Sequence, residues 1–570
     1  MLCTVFRRMR QPKTHRADGL AGNRLFTRGT ARDQAHPGNP TVTSIMSVPT
    51  IGERPARFAD EHAPPRPRGR RFDPVAIAVL ATAISAAWAS RPSLWFDEGA
   101  TISASASRTL PELWKLLGHI DAVHGLYYLL MHGWFAMFPP TEFWSRVPSS
   151  LAIGATAAGV VVFAKQLAPQ NRAIAVCAGA IFAMLPRVTW AGIEARSSAL
   201  SVAAAVWLTV LLVAAVRRDR PWLWLIYLLT LMLSILVSVN LGLLVLVYAA
   251  MLPLLVVGKP WKSPVTWWAV TSAAGLGAMT PFVMFAHKQV WQVGWISGLT
   301  RNLFLDVVHR QYFDHSVAFA ILAGVTVVAA VAVALLRGAG PAADGGQLLL
   351  ASAAWILVPT VVVLIYSARV EPIYYPRYLI LTAPAAAVVL AICIVTIARM
   401  PWAIAGVLVL FAVAAFPNYY FTQRGPYAKE GWDYSQVADV ISAHAAPGDC
   451  LLVDNTVPWR PGPIRALLAT RPAAFRSLID VERGFYGPKV GALWDGHVAV
   501  WLTTAKINKC TTLWTISNRD KSLPDHQIGQ SLPPGTAFER TPVYSFPSYL
   551  GFRIVERWQF HYSQVVKSTR

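Results

Sequence analysis

The chain has 570 residues, a mean hydropathy of +0.43, and only 14% of its residues are charged. A water-soluble protein of this size is excluded, because several separate runs of about 20 apolar residues each match a hydrocarbon core of about 30 Å. The net charge of +22 would suit nucleic acid, but its placement excludes that partner: residues 1–73 hold fourteen Lys/Arg against six Asp/Glu, and most of the remaining excess lies in short loops between apolar runs. Such a pattern orients a membrane protein and faces anionic membrane lipids.

Residues 1–73 are rich in Arg, Pro, Gly and Thr and lack the apolar stretch of a cleavable signal, so a disordered basic cytoplasmic tail is expected. Met46 opens a shorter reading frame. Membrane spans are expected at 74–91, 147–164, 172–190, 196–216, 221–238, 240–257, 265–286, 317–336, 347–368, 377–398 and 402–416, about eleven in all. The run 221–257 carries no charge and would be about 55 Å long as one helix, so a turn at Ser238-Val239-Asn240 is predicted. With the N-terminus cytoplasmic, the loops at Lys165/Arg172, Arg217–Arg220, Lys259/Lys262, Arg337 and Arg399 are cytoplasmic and basic, as orientation requires. The outside segments are then 92–146, the turn near 190–196, 287–316, 369–376 and everything after 417.

The first outside loop, 92–146, holds an amphipathic pattern over Leu110, Leu113, Trp114, Leu117 and Ile120, and a short apolar stretch at 125–138; both read as interfacial helices. Residues 417–570 are more polar and read as a soluble extracytoplasmic α/β domain. A helix is predicted over 434–445, strands over 450–453, 497–502 and 512–516, and a closing hairpin between Phe552 and Val566. The predicted architecture is an α-helical polytopic membrane protein: tail 1–73, membrane domain 74–416, outer domain 417–570. Of five cysteines, Cys450 and Cys510 fall in the outer, oxidising domain and are expected to pair.

The chemistry centres on Asp97-Glu98, just outside the first span. Ionised groups lose hydration near hydrocarbon, so paired acids there point to a function. Asp97 suits a general base that takes a proton from an acceptor hydroxyl; Glu98 suits orienting that acceptor or a divalent ion. Adjacent acids can hold Mg²⁺ or Mn²⁺, and nothing in the sequence separates that from metal-free acid–base work. His124, with Tyr127 and Tyr128 beside it, is a candidate substrate contact in the same loop. Glu194 and Arg196 flank the next outside turn, where they pair with each other or face the cavity of Asp97. Arg301, Arg377 and Tyr378 come from later outside loops; with Arg196 the arginines suit a phosphate headgroup, since a guanidinium makes two parallel bonds. No Walker motif, zinc-ligand spacing or Gly-x-Ser-x-Gly elbow is present in the sequence. A transporter or flippase of lipid-linked sugars would show a polar path across the bilayer, and no charged residue falls at mid-span by these boundaries. A non-catalytic envelope assembly protein is the third alternative.

Four motifs now carry a resemblance: Leu94-Trp95-Phe96-Asp97-Glu98, His124-Gly125-Leu126-Tyr127-Tyr128, Arg146-Val147-Pro148-Ser149 and Glu194-Ala195-Arg196. Their order and spacing resemble polytopic glycosyltransferases of the GT-C fold, in the group related to protein O-mannosyltransferases and aminoarabinose transferases, and the chain looks like a mycobacterial-type member. The resemblance implies a polyprenyl-phosphate sugar donor, mannose above all, and transfer with inversion to a lipid, glycan or protein acceptor of the cell envelope. It implies work on the outer face of the cytoplasmic membrane, with Asp97 as base, Glu98 as the second acid, and Arg377-Tyr378 near the lipid phosphate. His124-Gly125 stands where the family commonly has His-Pro-Pro, and Ser197-Ser198 follow Glu194-Ala195-Arg196 where a Tyr is usual.

Overall fold

A computed structural model describes residues 71–257, 262–337, 343–454, 464–529 and 531–570. The expected disordered tail lies almost wholly outside these residues. Among them, seven helices are long and apolar enough to cross a membrane, and four shorter apolar ones, at Asp73–Ala86, Arg172–Met184, Pro221–Val237 and Val239–Leu255, complete the bundle. The turn expected near Ser238 is where the helix Pro221–Val237 ends, and a short 3-10 segment starts at Val239. The expected span 172–190 is two elements: the helix stops at Met184, and Pro186 starts a short second helix, Pro186–Ala191. Pro without an N–H ends one helix and is well placed to begin the next.

Helix α1 (Asp73–Ala86) leads into a loop and then α2 (Phe96–Ser105), α3 (Leu110–Leu117) and α4 (Gly125–Phe135), all before the long α5 (Glu142–Leu167). The amphipathic pattern around Leu113 is α3, whose start is fixed by a capping box between Thr109 and Glu112. Helix α2 has no apolar stripe. It is built of small residues and buried along most of its length, because the C-terminal domain sits directly on it. A Cβ on Gly99 would lie 2.5 Å from Thr470 Cγ2, so glycine permits this approach.

The C-terminal domain holds a six-stranded mixed sheet, whose strands, numbered β1 to β6 in chain order, lie in the order β2-β1-β3-β6-β5-β4. Strands β1 (Cys450–Val453), β2 (Ile479–Asp480) and β3 (Thr512–Asn518) are parallel; β4 (His526–Ile528), β5 (Arg553–Gln559) and β6 (Ser563–Thr569) join antiparallel. The helix Tyr434–His444 and the β5–β6 hairpin lie where the sequence places them. The expected strand 497–502 does not form: His497 makes one isolated bridge to Arg483, and Val500–Thr503 is a 3-10 turn. A short buried apolar run fits a strand or a helical turn equally by periodicity. Cys450, at the start of β1, is disulfide-bonded to Cys510, two residues before β3, with Cα atoms 5.9 Å apart. The bridge closes a loop of 60 residues, which constrains the unfolded chain by about 4 kcal/mol.

Candidate active site

The start of α2 sends its two acids to opposite sides. Successive helical residues are separated by about 100°, so neighbours do not share a face. Glu98 points inward and its side chain is 0% exposed, whereas the Asp97 side chain remains 21% exposed. Arg146 meets Glu98 from α5, with Nη2 2.6 Å from Oε2 and Nε 2.8 Å from Oε1. The same guanidinium donates to the carbonyls of Ala89, Pro92 and Ser93. All five guanidinium donors are thereby used. The Ala195 N–H donates to Glu98 Oε1 at 3.0 Å, which ties the turn after Pro186–Ala191 to α2. Glu98 therefore anchors the loop and does not reach the cavity beside Asp97, contrary to the acceptor-orienting role expected from sequence.

Asp97 faces Arg377, whose Nη2 donates to Oδ2 at 3.2 Å. The guanidinium carbon lies 5.1 Å from the Tyr375 ring, 5.3 Å from Trp95, 5.8 Å from Tyr378 and 6.0 Å from Trp190. Electron-rich ring faces stabilise a cation and leave it little freedom. Glu430 approaches from the start of the C-terminal domain, with its carboxylate 3.7 Å from Arg377 Nη1. That nitrogen is buried and makes no hydrogen bond among the described residues. Glu430 and Gly431 have φ of 54° and 87°, in the left-handed region. The turn splits two neighbours: Glu430 reaches Arg377, while Lys429 is fully buried, with its ammonium 4.0 Å from the Trp190 ring centroid.

A second cluster sits behind Asp97. Arg196 donates to the Tyr128 hydroxyl at 3.1 Å and lies 3.1 Å from His124 Nε2, and Tyr128 donates to Asp121 at 2.7 Å. Ser197 Oγ is 3.3 Å from His124 Nδ1. Burial, then the Arg196 charge, pushes the His124 imidazole well below its usual range, so it is neutral at pH 7. Glu194 is buried and pushed up to about 7, chiefly by desolvation, with Lys429 pulling the other way. Its folded-state value exceeds the ordinary 4.5, so its contribution to stability is full below about 4.5 and is lost as pH rises through about 7. Thermal unfolding of detergent-solubilised protein should show the wild type losing stability across that window. Glu194→Gln should lose less; an unchanged profile would remove Glu194 as the cause.

The crystal structure of ArnT from Cupriavidus metallidurans bound to undecaprenyl phosphate is similar to this chain over 88% of its length and 98% of that chain, at 12% identity and a TM-score of 0.50. The fold is GT-C-like. The apo state of the same protein is similar over the same shares at 12% identity and a TM-score of 0.46. No protein-family model matches the chain, and no curated protein matches it.

The GT-C-like fold thus gathers Asp97, Arg377 and Tyr378 at one point, with His124, Tyr128, Arg196 and Glu194 around it. It does not bring all the sequence candidates there. Tyr127 lines a separate cavity of about 190 Å³ with Leu130, Met131, Trp134 and Leu200. Arg301 is exposed on the 287–316 loop, and among the described residues no hydrogen bond or ion pair links it to the site. A divalent ion does not fit the acidic pair, because Glu98 is taken by Arg146 and Ala195 while Asp97 points away from it. Among the described residues no three His, Cys, Asp or Glu converge on one point. Trp190, Lys429 and Glu430 escaped the sequence reading. The one available signal was a Lys-Glu pair a few residues beyond the last apolar run.

Proposed function

We propose that the protein is an inverting glycosyltransferase that moves a sugar, mannose foremost, from a polyprenyl-phosphate donor to a cell-envelope acceptor on the outer side of the cytoplasmic membrane. The observation that carries this reading is the Asp97–Arg377 pair: a partly exposed carboxylate against a cation held in four aromatic rings, with a buried guanidinium nitrogen that lacks a hydrogen bond. ArnT, whose fold the chain shares, is described bound to undecaprenyl phosphate, which supports a polyprenyl-phosphate donor here.

In this reading Arg377 takes the donor phosphate, which competes with Asp97 for the guanidinium and releases the carboxylate. Asp97 accepts the proton of the acceptor hydroxyl. The hydroxyl oxygen forms the new bond to the anomeric carbon as the bond to the phosphate oxygen breaks, and the electron pair leaves with the polyprenyl phosphate. Arg377 stabilises the charge that develops on that leaving group. Arg196 keeps the wall opposite cationic through its contacts to Tyr128 and His124. The test is purified full-length protein in vesicles with polyprenyl-phosphate mannose and an envelope-lipid and glycan extract. Sugar transfer with release of polyprenyl phosphate supports the reading; sugar-lipid movement across the vesicle without transfer rejects it.

A further inference from the structure

A cleft of about 510 Å³ lies outside the Asp97 cavity, between the first outside loop, the 287–316 loop and the outer domain. Its volume falls within the range of about 300–1,000 Å³ typical of small-molecule sites. Its three walls are fastened to one another. Gln289 is buried; its Oε1 accepts from the Ala122 N–H at 2.9 Å and its Nε2 donates to the Leu117 carbonyl at 3.0 Å, which fixes the loop bearing Trp291 against the first outside loop. Arg108 donates to the carbonyls of Ala492 (2.7 Å) and Leu493 (3.1 Å), and Ser103 Oγ donates to the latter at 2.7 Å, which fixes the floor at Trp494.

Trp291 and Phe485 line the cleft and are 64% and 53% exposed, which leaves ring surface free to meet a ligand. Beside them, Arg465 and His497 are mostly buried, and Arg465 Nε and His497 Nδ1 have no hydrogen-bond partner among the described residues. Buried donors and acceptors are normally satisfied, so these two atoms leave hydrogen-bonding capacity unused in the wall of the cleft. The charges around them cancel. Arg465 makes a two-point pair with Asp480, at 2.7 and 3.2 Å, and Arg483 reaches Asp495 at 3.4 Å. Burial pushes Glu482 up to about 8 and His497 down to about 4, so near neutral pH neither adds a full charge.

Exposed ring faces, unpaired polar atoms and no net charge together match a neutral polyhydroxylated ligand, not a phosphate or a fatty chain. The cleft is also next to the chemistry: Trp494 on its floor packs against Phe96, ring centroids 5.5 Å apart, and Phe96 precedes Asp97. We propose that this cleft is the saccharide subsite of the acceptor, where a neutral oligosaccharide stacks on Trp291 and Phe485 and bonds to Arg465 and His497. The proposal rests on the transferase reading above for its role, but the binding it predicts does not require transfer.

The experiment titrates full-length protein in nanodiscs with mannotriose, arabinotriose and maltotriose, and with a sulfated disaccharide as the charged control. At least one neutral trisaccharide should bind. Trp291→Ala and Phe485→Ala should each weaken it about tenfold, while Asp97→Asn binds as the wild type does. With an active acceptor the two ring variants should raise KM and leave kcat nearly unchanged. Failure of all three neutral sugars, preference for the sulfated one, or undiminished binding in the double ring variant overturns the subsite. Saccharide binding in a wild type that transfers no sugar would instead overturn the transferase reading and leave the cleft standing.

Discussion

Asp97→Asn is expected to lower sugar transfer by about 10²–10⁴-fold, the usual share of a positioned general base. Asparagine keeps the size of the side chain and still accepts a hydrogen bond from Arg377, now at 3.2 Å from Oδ2, so folding and donor binding should survive. What it loses is the capacity to take a proton. KM for the polyprenyl-phosphate sugar should change much less than kcat, because in the proposed reaction the donor phosphate engages Arg377 and not the carboxylate. Arg377→Lys is the informative companion. Lysine keeps the charge but not the planar fork or the fit among four rings. It should weaken donor binding and slow leaving-group departure together. Steady-state kinetics on purified protein measure both; Asp97→Asn with wild-type turnover would remove this carboxylate from the reaction.

The second large effect is structural. Glu98→Gln or Arg146→Met should destabilise the protein by about 3–5 kcal/mol, since each leaves a buried charge without its partner. Both side chains of the pair are 0% exposed, so no solvent compensates. The signature is a sharp fall in extractable, monodisperse protein and in its unfolding temperature. The double variant Glu98→Leu/Arg146→Met should recover only part, because Arg146 also satisfies the carbonyls of Ala89, Pro92 and Ser93. Single variants as stable as the wild type would show that the pair does not hold the loop. The contrast with Asp97 is diagnostic: adjacent acids, one lost as activity and the other as folded protein.

Much of the membrane part was legible because hydropathy over some 20 residues has one solution in a bilayer. The division of 221–257 follows from length alone, and α3 from the spacing of its apolar side chains. Helix α2 was not legible: Gly99-Ala100-Thr101-Ile102-Ser103-Ala104-Ser105 has no stripe, and it is a helix covered by residues some 370 positions later, such as Thr470. The pair Asp97-Glu98 stood out in the sequence, yet the opposite directions of the two side chains did not, because they depend on Arg146 and Arg377 arriving from opposite sides. The same holds for Lys429 and Glu430, whose separate fates are set by a left-handed turn. In the C-terminal domain β1, β3 and the β5–β6 hairpin carried clear patterns, while β2 and β4, of two and three residues, are too short for any.

The segment from Arg424 to Ser435 bears on how the molecule is made. Arg424 donates to the end of α1, Ser435 bonds to Ser93 and Leu94, and Glu430 faces Arg377. Ribosomes finish this stretch after every apolar helix described above it, so the pocket acquires its final wall only late in synthesis. A nascent or truncated product ending before it would display Asp97 and Arg377 without that cover, inserted in the bilayer yet unassembled.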